Sequence, residues 1–457
     1  MSTALAQDLK GALGEATMVG EVPAAYLADA TEVRGLRGQA DAVVFPETTD
    51  ELAQVMECCY ALGVPLTPRG GGTGYSGGAV PRGGVIISLV RMRRVRSLEP
   101  LLWRAEVEAG LPTADVQRLA RENGLYFPPD PGAAEQSQIG GNVATNAGGP
   151  HAFKYGVTGA WVTGLEAVVP PGRIVRFGGA FRKDVAGYDL KSLLIGSEGT
   201  LGIITAVNLR FIPAPERRFP VLGFYPDARA GAAAIDCAMG SGIVPAALEY
   251  LDNEAVEIVR GSFPGKLPSR SCFALIAEAD GGEAEARRGR DALMEALSEG
   301  GLGISAPTER REIDELWGWR DGVGLVADAA LGGKASEDIA VPVERLAEAV
   351  EGTREIGRCH KLATCSWGHA GDGNLHSTFL FDRADTAAGE RAAAAARELF
   401  ALAVELGGTI SGEHGVGLVK AGQLGRQWNE AGLDLHDGIK ELFDPPGLLN
   451  PGKKASR

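Results

Sequence analysis

Pro68-Arg69-Gly70-Gly71-Gly72-Thr73-Gly74-Tyr75-Ser76-Gly77-Gly78 is the stretch on which the fold turns. Within it Gly72 to Gly77 spell GxGxxG, and Gly74 to Gly78 spell GxSxG. The first pattern binds a dinucleotide only where a helix opens at its last glycine and faces the pyrophosphate. The second presents a nucleophilic serine only at a strand-to-helix turn. Neither helix has room here, because the chain runs through Pro81, Gly83 and Gly84 straight into the apolar strand VIISLV (85–90). About 20 residues on, where a ribose-binding acid belongs, stands the basic cluster RMRRVR (91–96). A glycine loop between two strands can instead wrap an anion with backbone N–H groups, with Arg69 supplying positive charge at its entry.

Upstream, DAVVF (41–45), the amphipathic TDELAQVMECCYALG (49–63) and VPLTP (64–68) alternate strand, helix, strand. That pattern is a small α/β unit, preceded by a helical lead-in over residues 1–35. Downstream come short strands and three more glycine segments: IGGNVATNAGG (139–149), FKYGVTG (153–159) and LIGSEGTLGIIT (194–205). Beyond Pro213 and Pro215 the composition changes. Helical stretches at 283–300 and 386–406 alternate with strands such as FALIAEAD (273–280) and LATCSW (362–367). This alternation predicts an antiparallel sheet with helices on one face. The expected fold class is α+β, with a first domain over 1–215, a second over 216–408, and a C-terminal segment over 409–457 that completes the active site and packs on the first domain. No internal repeat is evident.

Glycine makes up 65 of the 457 residues, roughly twice its usual share; its clusters beside apolar strands suggest backbone packed closely against a ligand, while many other glycines simply make turns. A net charge of −14, with no basic run able to neutralise phosphates, argues against a nucleic-acid partner. The amino terminus lacks a basic region followed by an apolar one, and no uncharged run is long enough to span a bilayer. The expected location is therefore cytoplasmic, at most peripheral to a membrane through a partner. The six cysteines form no CxxC pair, so no iron–sulfur centre is expected in the chain.

Three of the six histidines sit in two polar motifs. In Gly368-His369-Ala370-Gly371-Asp372-Gly373-Asn374-Leu375-His376 the glycines oppose a continuous helix. A strand ending at LATCSW, a turn at GDGN and a second strand at LHSTFLFD would bring His369 and His376 together. Two imidazoles begin a site for Zn, Mn or Fe. The second motif, Ser411-Gly412-Glu413-His414-Gly415, follows the alanine-rich helix. On extended backbone Glu413 and His414 point opposite ways, so one can ligate a metal while the other faces a substrate. Two histidines and a carboxylate leave coordination positions open for chemistry.

The four glycine segments, in this order and spacing, resemble the FAD domain of the vanillyl-alcohol-oxidase flavoproteins, the PCMH-type fold, over roughly residues 40–215. The resemblance implies that Pro68, Arg69, Gly70, Gly71, Gly72, Thr73, Gly74, Ser76 and Gly77 hold the FAD pyrophosphate. It places Pro131, Gly132, Gly141, Asn142, Ala144, Thr145 and Asn146 along the flavin and ribityl chain. Glu198, Gly199, Gly202, Ile203 and Ile204 fall on the adenosine side, with Tyr155 and Asn450 as further FAD contacts. Some members bind FAD covalently through histidine or cysteine; the glycine loop has neither, so non-covalent FAD is expected, with His151 as a polar surface residue.

GHAGDGNLH and SGEHG resemble the C-terminal motifs of the D-lactate, glycolate and D-2-hydroxyglutarate dehydrogenase branch of that family. The resemblance implies His369, His376 and Glu413 as ligands of a divalent metal and His414 as the catalytic base. It implies Arg320, at the end of ERREIDELWGWR, and Lys334 as contacts to the substrate, to which Asn374 is added. Gly324 departs from the pattern, standing where the hydroxyglutarate enzymes have a hydroxyl residue, which counts against a dicarboxylate substrate.

The expected reaction is oxidation of a small D-2-hydroxy acid to the 2-oxo acid, with hydride passing to flavin N5. Electrons then go to a quinone, an electron-transfer flavoprotein, a cytochrome or an iron–sulfur subunit. A homodimer is compatible with this reading. A metal-dependent hydrolase has no use for four glycine segments. A flavin subunit without chemistry has no use for both metal motifs, and an aromatic-alcohol oxidase of the same fold needs neither the metal nor Arg320.

Overall fold

A computed structural model describes residues 3–457. The chain divides into two compact units. The first comprises the residues up to Gly148, then Gly156–Pro213 and Glu413–Arg457; the second comprises Gly149–Tyr155 and Ala214–Gly412.

The first unit begins with β1 (Thr17–Val19), β2 (Ala42–Val44), β3 (Leu66–Arg69) and β4 (Val85–Ser88), ordered β1-β2-β4-β3. β2 and β3 both run parallel to β4, which requires a crossover. The helix Thr49–Ala61 supplies it. Thr48 caps this helix by accepting the Glu51 N–H at 3.2 Å, and Leu52, Val55, Met56 and Cys59 form its buried face. The amino-terminal segment, expected to be helical, also contributes β1, which pairs with β2.

The chain continues through β5 (Val95–Glu99), β6 (Arg104–Glu108), β7 (Leu125–Tyr126), β8 (Val162–Val169), β9 (Arg173–Gly178), β10 (Ile203–Arg210) and β11 (Ile212–Pro213). Five of these form an antiparallel sheet in the order β5-β6-β10-β8-β9, while β7 pairs with β11. The basic cluster at 91–96 is absorbed internally. Arg94 and Arg96 pair with the buried Glu108, and Arg96 also reaches Glu166. The carboxy-terminal segment returns to β3: the Leu66 N–H donates to Leu448 O and the Asn450 N–H to Leu66 O.

The second unit is one antiparallel sheet of seven strands. They are β12 (Arg217–Tyr225), β13 (Ala247–Leu251), β14 (Phe273–Gly281), β15 (Gly303–Ser305), β16 (Gly332–Ala340), β17 (Ala363–His369) and β18 (Asn374–Asp382), ordered β15-β12-β14-β13-β17-β18-β16. Helices cover both faces, where the sequence suggested one. Ala228–Gly240, Glu283–Ser298, Leu346–Cys359 and Thr386–Glu405 pack on the first face. On the second, Leu251, Ile276, Cys365 and Trp367 pack with Val256, Leu316, Trp319 and Val323 from the shorter helices Asn253–Ile258, Arg310–Asp321 and Val323–Leu331. Among the described residues no helix is long and apolar enough to cross a membrane.

Candidate active site

In the first unit, the three glycine-bearing segments meet at a cleft of about 850 Å³. Strand β3 delivers the loop at Arg69, and the loop reaches β4 without forming a helix. A Cβ on Gly70 would lie 3.6 Å from the Gly141 Cα, and one on Gly199 only 2.5 Å from Pro68 Cγ. The first is ordinary contact, whereas at Gly199, with φ +68, a side chain has no room against Pro68.

Of the expected FAD contacts, Pro68, Arg69, Gly70, Gly71, Gly72, Thr73, Gly74, Ser76, Gly141, Asn142, Ala144, Thr145, Glu198, Gly199, Gly202, Ile203 and Ile204 line this cleft. Gly78, Ala79, Leu89, Ser137, Gln138 and Gly140 line it as well; sequence reading missed them. Gln138 brings an Oε1 that is buried and has no hydrogen-bond partner. A buried acceptor of this kind fits a ligand that donates to it.

Six expected contacts do not line the cleft. Gly77 packs toward Leu36 and Leu418. Asn146 ends the helix Ile139–Thr145 in the left-handed region and accepts the Gly159 N–H at 2.8 Å. Asn450 braces the cleft from behind, donating to Gly78 O and Glu198 O. Tyr155 belongs to the second unit, where its hydroxyl donates to Asp280 at 2.5 Å. Pro131 and Gly132 are absent from the lining. Arg69, besides lining the cleft, braces the loop. Its guanidinium donates to the Ala25 and Ala28 carbonyls, each at 2.7 Å, so its charge buttresses the loop from behind.

The Glu198 carboxylate turns away from the cleft to accept the N–H groups of Val416 and Gly417 at 2.8 and 2.6 Å. It thereby fixes the chain just after His414, whose ring stacks on Tyr75 of the glycine loop with centroids 5.1 Å apart. Glu413 Oε1 lies 3.8 Å from His414 Nε2. The two side chains converge, and the backbone there is bent instead of extended, which corrects the expectation that they point apart.

In the second unit, strand register assembles a polar group on the second face of the sheet. Glu249 pairs with His369, and His369 with Asn374; Trp367 pairs with His376, and His376 with Asp338. Paired residues and residues two apart share a face, so all six side chains stand on the same side. The expected strand–turn–strand is present: β17 ends at His369, a short 3₁₀ turn covers Ala370–Asp372, and β18 starts at Asn374. Gly373 closes the turn at φ +63, where a Cβ would sit 1.9 Å from the Val341 carbonyl oxygen. The His369 and His376 rings are 5.3 Å apart, with candidate ligand atoms within 4.8 Å of each other.

His369 Nδ1 lies 2.7 Å from Glu249 Oε1, and the other Glu249 oxygen takes the Arg320 guanidinium in a close ion pair. Burial alone would raise the Glu249 pKa, but the Arg320 charge and the His369 ring outweigh it and hold it below the usual carboxylate range. Glu249 is therefore an acceptor. It is placed to accept from His369 Nδ1.

Asn374 donates to Asp338 Oδ1 at 2.6 Å and to the Ile339 carbonyl at 2.8 Å. Ser411 Oγ donates to Asp338 Oδ2 at 3.0 Å. Lys334 is not gathered into this group. It lies four residues from Asp338 along β16, about 13 Å at the usual strand rise, and its ammonium donates to the Gly324 carbonyl and pairs with Asp328. His151, expected at the surface, is buried in the second unit and pairs with Glu278 at 2.9 Å. Glu249 and Asp338 were missed by sequence reading. Glu249 is a lone acid in the apolar strand run ALEYL, and that oddity was the available signal; Asp338 stands beside Glu337 in EDIAV and gave no such signal.

Comparison with known proteins agrees with both units. Residues 40–178 match the FAD binding domain family, and residues 214–454 match the FAD linked oxidases, C-terminal domain. The chain is 37% identical over 417 residues to the glycolate oxidase subunit GlcD of Bacillus subtilis (strain 168), covering 90% of this chain and 88% of that protein. It is 34% identical over 432 residues to a D-lactate dehydrogenase of Anaerostipes hadrus, covering 91% and 90%. Its fold matches a structure of p-cresol methylhydroxylase with substrate bound at a TM-score of 0.77 and 16% identity, covering 98% and 96%. The cleft between glycine segments, the antiparallel second unit and these matches together show that the chain belongs to the FAD-linked oxidases, with the PCMH-type fold.

Proposed function

We propose that this FAD-linked oxidoreductase oxidises a small D-2-hydroxy acid, such as D-lactate or glycolate, to the 2-oxo acid with the help of a divalent metal. The observation that carries the reading is the histidine pair on β17 and β18, with Glu249 placed to accept from His369 Nδ1. The resemblance adds Glu413 as the third ligand, and two imidazoles with a carboxylate would suit Zn, Mn or Fe. The names of the relatives support the substrate class.

A divalent ion bound there supplies Lewis acidity that makes the substrate hydroxyl easier to deprotonate. FAD, held in the first-unit cleft without a covalent bond, supplies the hydride acceptor at N5; the cleft lining includes no histidine or cysteine. His414 accepts the hydroxyl proton at a ring nitrogen, and its stacking on Tyr75 keeps the ring beside the glycine loop. The Cα–H bond breaks with its electron pair leaving, and the C–O bond gains its second component. Arg320, paired with Glu249 and Asp321, has five N–H donors and would take the substrate carboxylate. Gly324 offers no hydroxyl for a second carboxylate, which favours a monocarboxylate. Electrons leave to an acceptor other than a nicotinamide: a quinone, an electron-transfer flavoprotein, a cytochrome or an iron–sulfur subunit.

The test is dye-linked turnover of D- and L-lactate, glycolate, malate and 2-hydroxyglutarate by FAD-loaded protein, with the oxo acid identified as product. A D-acid should turn over, and prolonged chelation should abolish activity until Zn, Mn or Fe is restored. Turnover indifferent to chelation, with no metal found by elemental analysis, removes the metal from the account. No turnover of any acid removes the substrate class.

A further inference from the structure

Glu249 links two of the side chains that the reaction scheme uses, His369 and Arg320. It is fully buried in the middle of β13, and its two oxygens have different partners: Oε1 takes the His369 ring and Oε2 the Arg320 guanidinium. Neither contact is incidental. Glu249 and His369 are direct cross-strand partners, so the sheet register itself sets them face to face. Arg320 comes from the last turn of the helix Arg310–Asp321, which is independently fastened to the same sheet face three residues earlier, where Trp317 Nε1 donates to Glu278 at 2.9 Å.

We propose that Glu249 is a shared positioning residue: one oxygen holds His369 with Nε2 directed to the metal, and the other aims the Arg320 guanidinium at the substrate carboxylate. The inference rests on the metal-assisted reading above. Its physical basis is that an acceptor-only carboxylate can satisfy two donors at once, whereas the isosteric amide cannot. In Glu249→Gln one of the two positions becomes an NH₂ group facing another donor. If it faces His369, the ring must move its proton to Nε2 and lose that lone pair. If it faces Arg320, the guanidinium must swing away. Either way the metal and substrate groups can no longer both be held.

The experiment uses full-length, FAD-loaded protein stripped of metal and titrated with Zn²⁺ or Mn²⁺ against a competing chelator. Relative to wild type, Glu249→Gln should weaken metal binding by about 10- to 100-fold and raise KM for the acid, while the flavin spectrum stays unchanged. A merely structural role would lower the unfolding temperature and leave metal affinity and KM untouched in the folded fraction. Wild-type affinity in a folded Glu249→Gln protein overturns the inference alone. A wild-type protein that binds no metal overturns the metal reading and this inference with it. A second measurement needs no change at Glu249 and so survives a variant that fails to fold. In metal-free wild-type protein labelled with ¹⁵N-histidine, the His369 ring, assigned by its loss in His369→Ala, should carry its proton on Nδ1. A proton on Nε2 would refute the proposal.

Discussion

Substituting alanine for Gly141 should move two properties in opposite directions. Gly141 lies in the helix Ile139–Thr145, and a methyl group at its Cα meets nothing within 4 Å in the protein itself. Within a helix, alanine is favoured over glycine by roughly 0.5–1 kcal/mol, so the FAD-free protein should unfold at a slightly higher temperature. Gly141 also lines the cleft. If FAD lies there, the methyl intrudes on the cofactor, and over-packing of that kind costs about 1–3 kcal/mol. At about 1.4 kcal/mol per tenfold, FAD affinity should fall by roughly 5- to 140-fold. The assay pairs a thermal melt of apoprotein with a titration that follows quenching of FAD fluorescence. Gly71→Ala is the companion variant. Its Cβ would lie 2.0 Å from the Gln136 carbonyl oxygen, so stability and FAD affinity should fall together. A Gly141→Ala protein that is more stable and binds FAD as tightly as wild type would refute the placement of the cofactor against this helix.

Two further outcomes follow from the geometry. His414→Gln should keep the flavin spectrum and reduce turnover by about 10²- to 10⁴-fold, the usual worth of a general base; an active variant would remove His414 from that role. Lys453 offers a pH test, since its ammonium is buried with no hydrogen-bond partner and burial, with Arg82 adding to it, pushes its pKa down from 10.5 to about 7. Between those values the unfolded chain holds the proton that the folded chain has lost, so this group's contribution to stability rises with pH, and its destabilising effect is complete below about 7. Lys453→Met should therefore stabilise the protein most at pH 6 and progressively less toward pH 10 in denaturant melts, whereas a pH-independent difference would contradict the assignment.

The parts of the fold readable from sequence were those governed by local chemistry. The loop after β3 could be assigned because no helix fits between Gly78 and 85–90, and the paired histidines because glycine and strand alternation define a turn at 370–373. Other elements depend on contacts distant in sequence. Gly140 and Gly141 argue against a helix by propensity, yet Ile139–Thr145 is one. A Cβ on Gly140 would lie 2.5 Å from the Ala109 Cβ, so close packing demands the glycine and overrides its helix cost. His151 read as a surface residue because nothing local reveals that 149–155 joins the second unit, where Glu278 awaits it. That Tyr155 bonds Asp280 was hidden for the same reason. That the Arg69 guanidinium also braces the loop was not legible, because the carbonyls it binds, on Ala25 and Ala28, lie some forty residues earlier. Glu249 shows the converse: a lone acid in an apolar strand is visible in sequence, but only the register with His369 tells what it serves.

The most direct test of the account is the visible spectrum of the purified, FAD-loaded protein under anaerobic conditions as D- and L-lactate, glycolate, malate and 2-hydroxyglutarate are added in turn. The account predicts that the oxidised flavin band bleaches with a small D-2-hydroxy monocarboxylate or glycolate, that L-lactate leaves it intact, and that the matching 2-oxo acid appears in equal amount. A flavin band that none of these acids bleaches would contradict it.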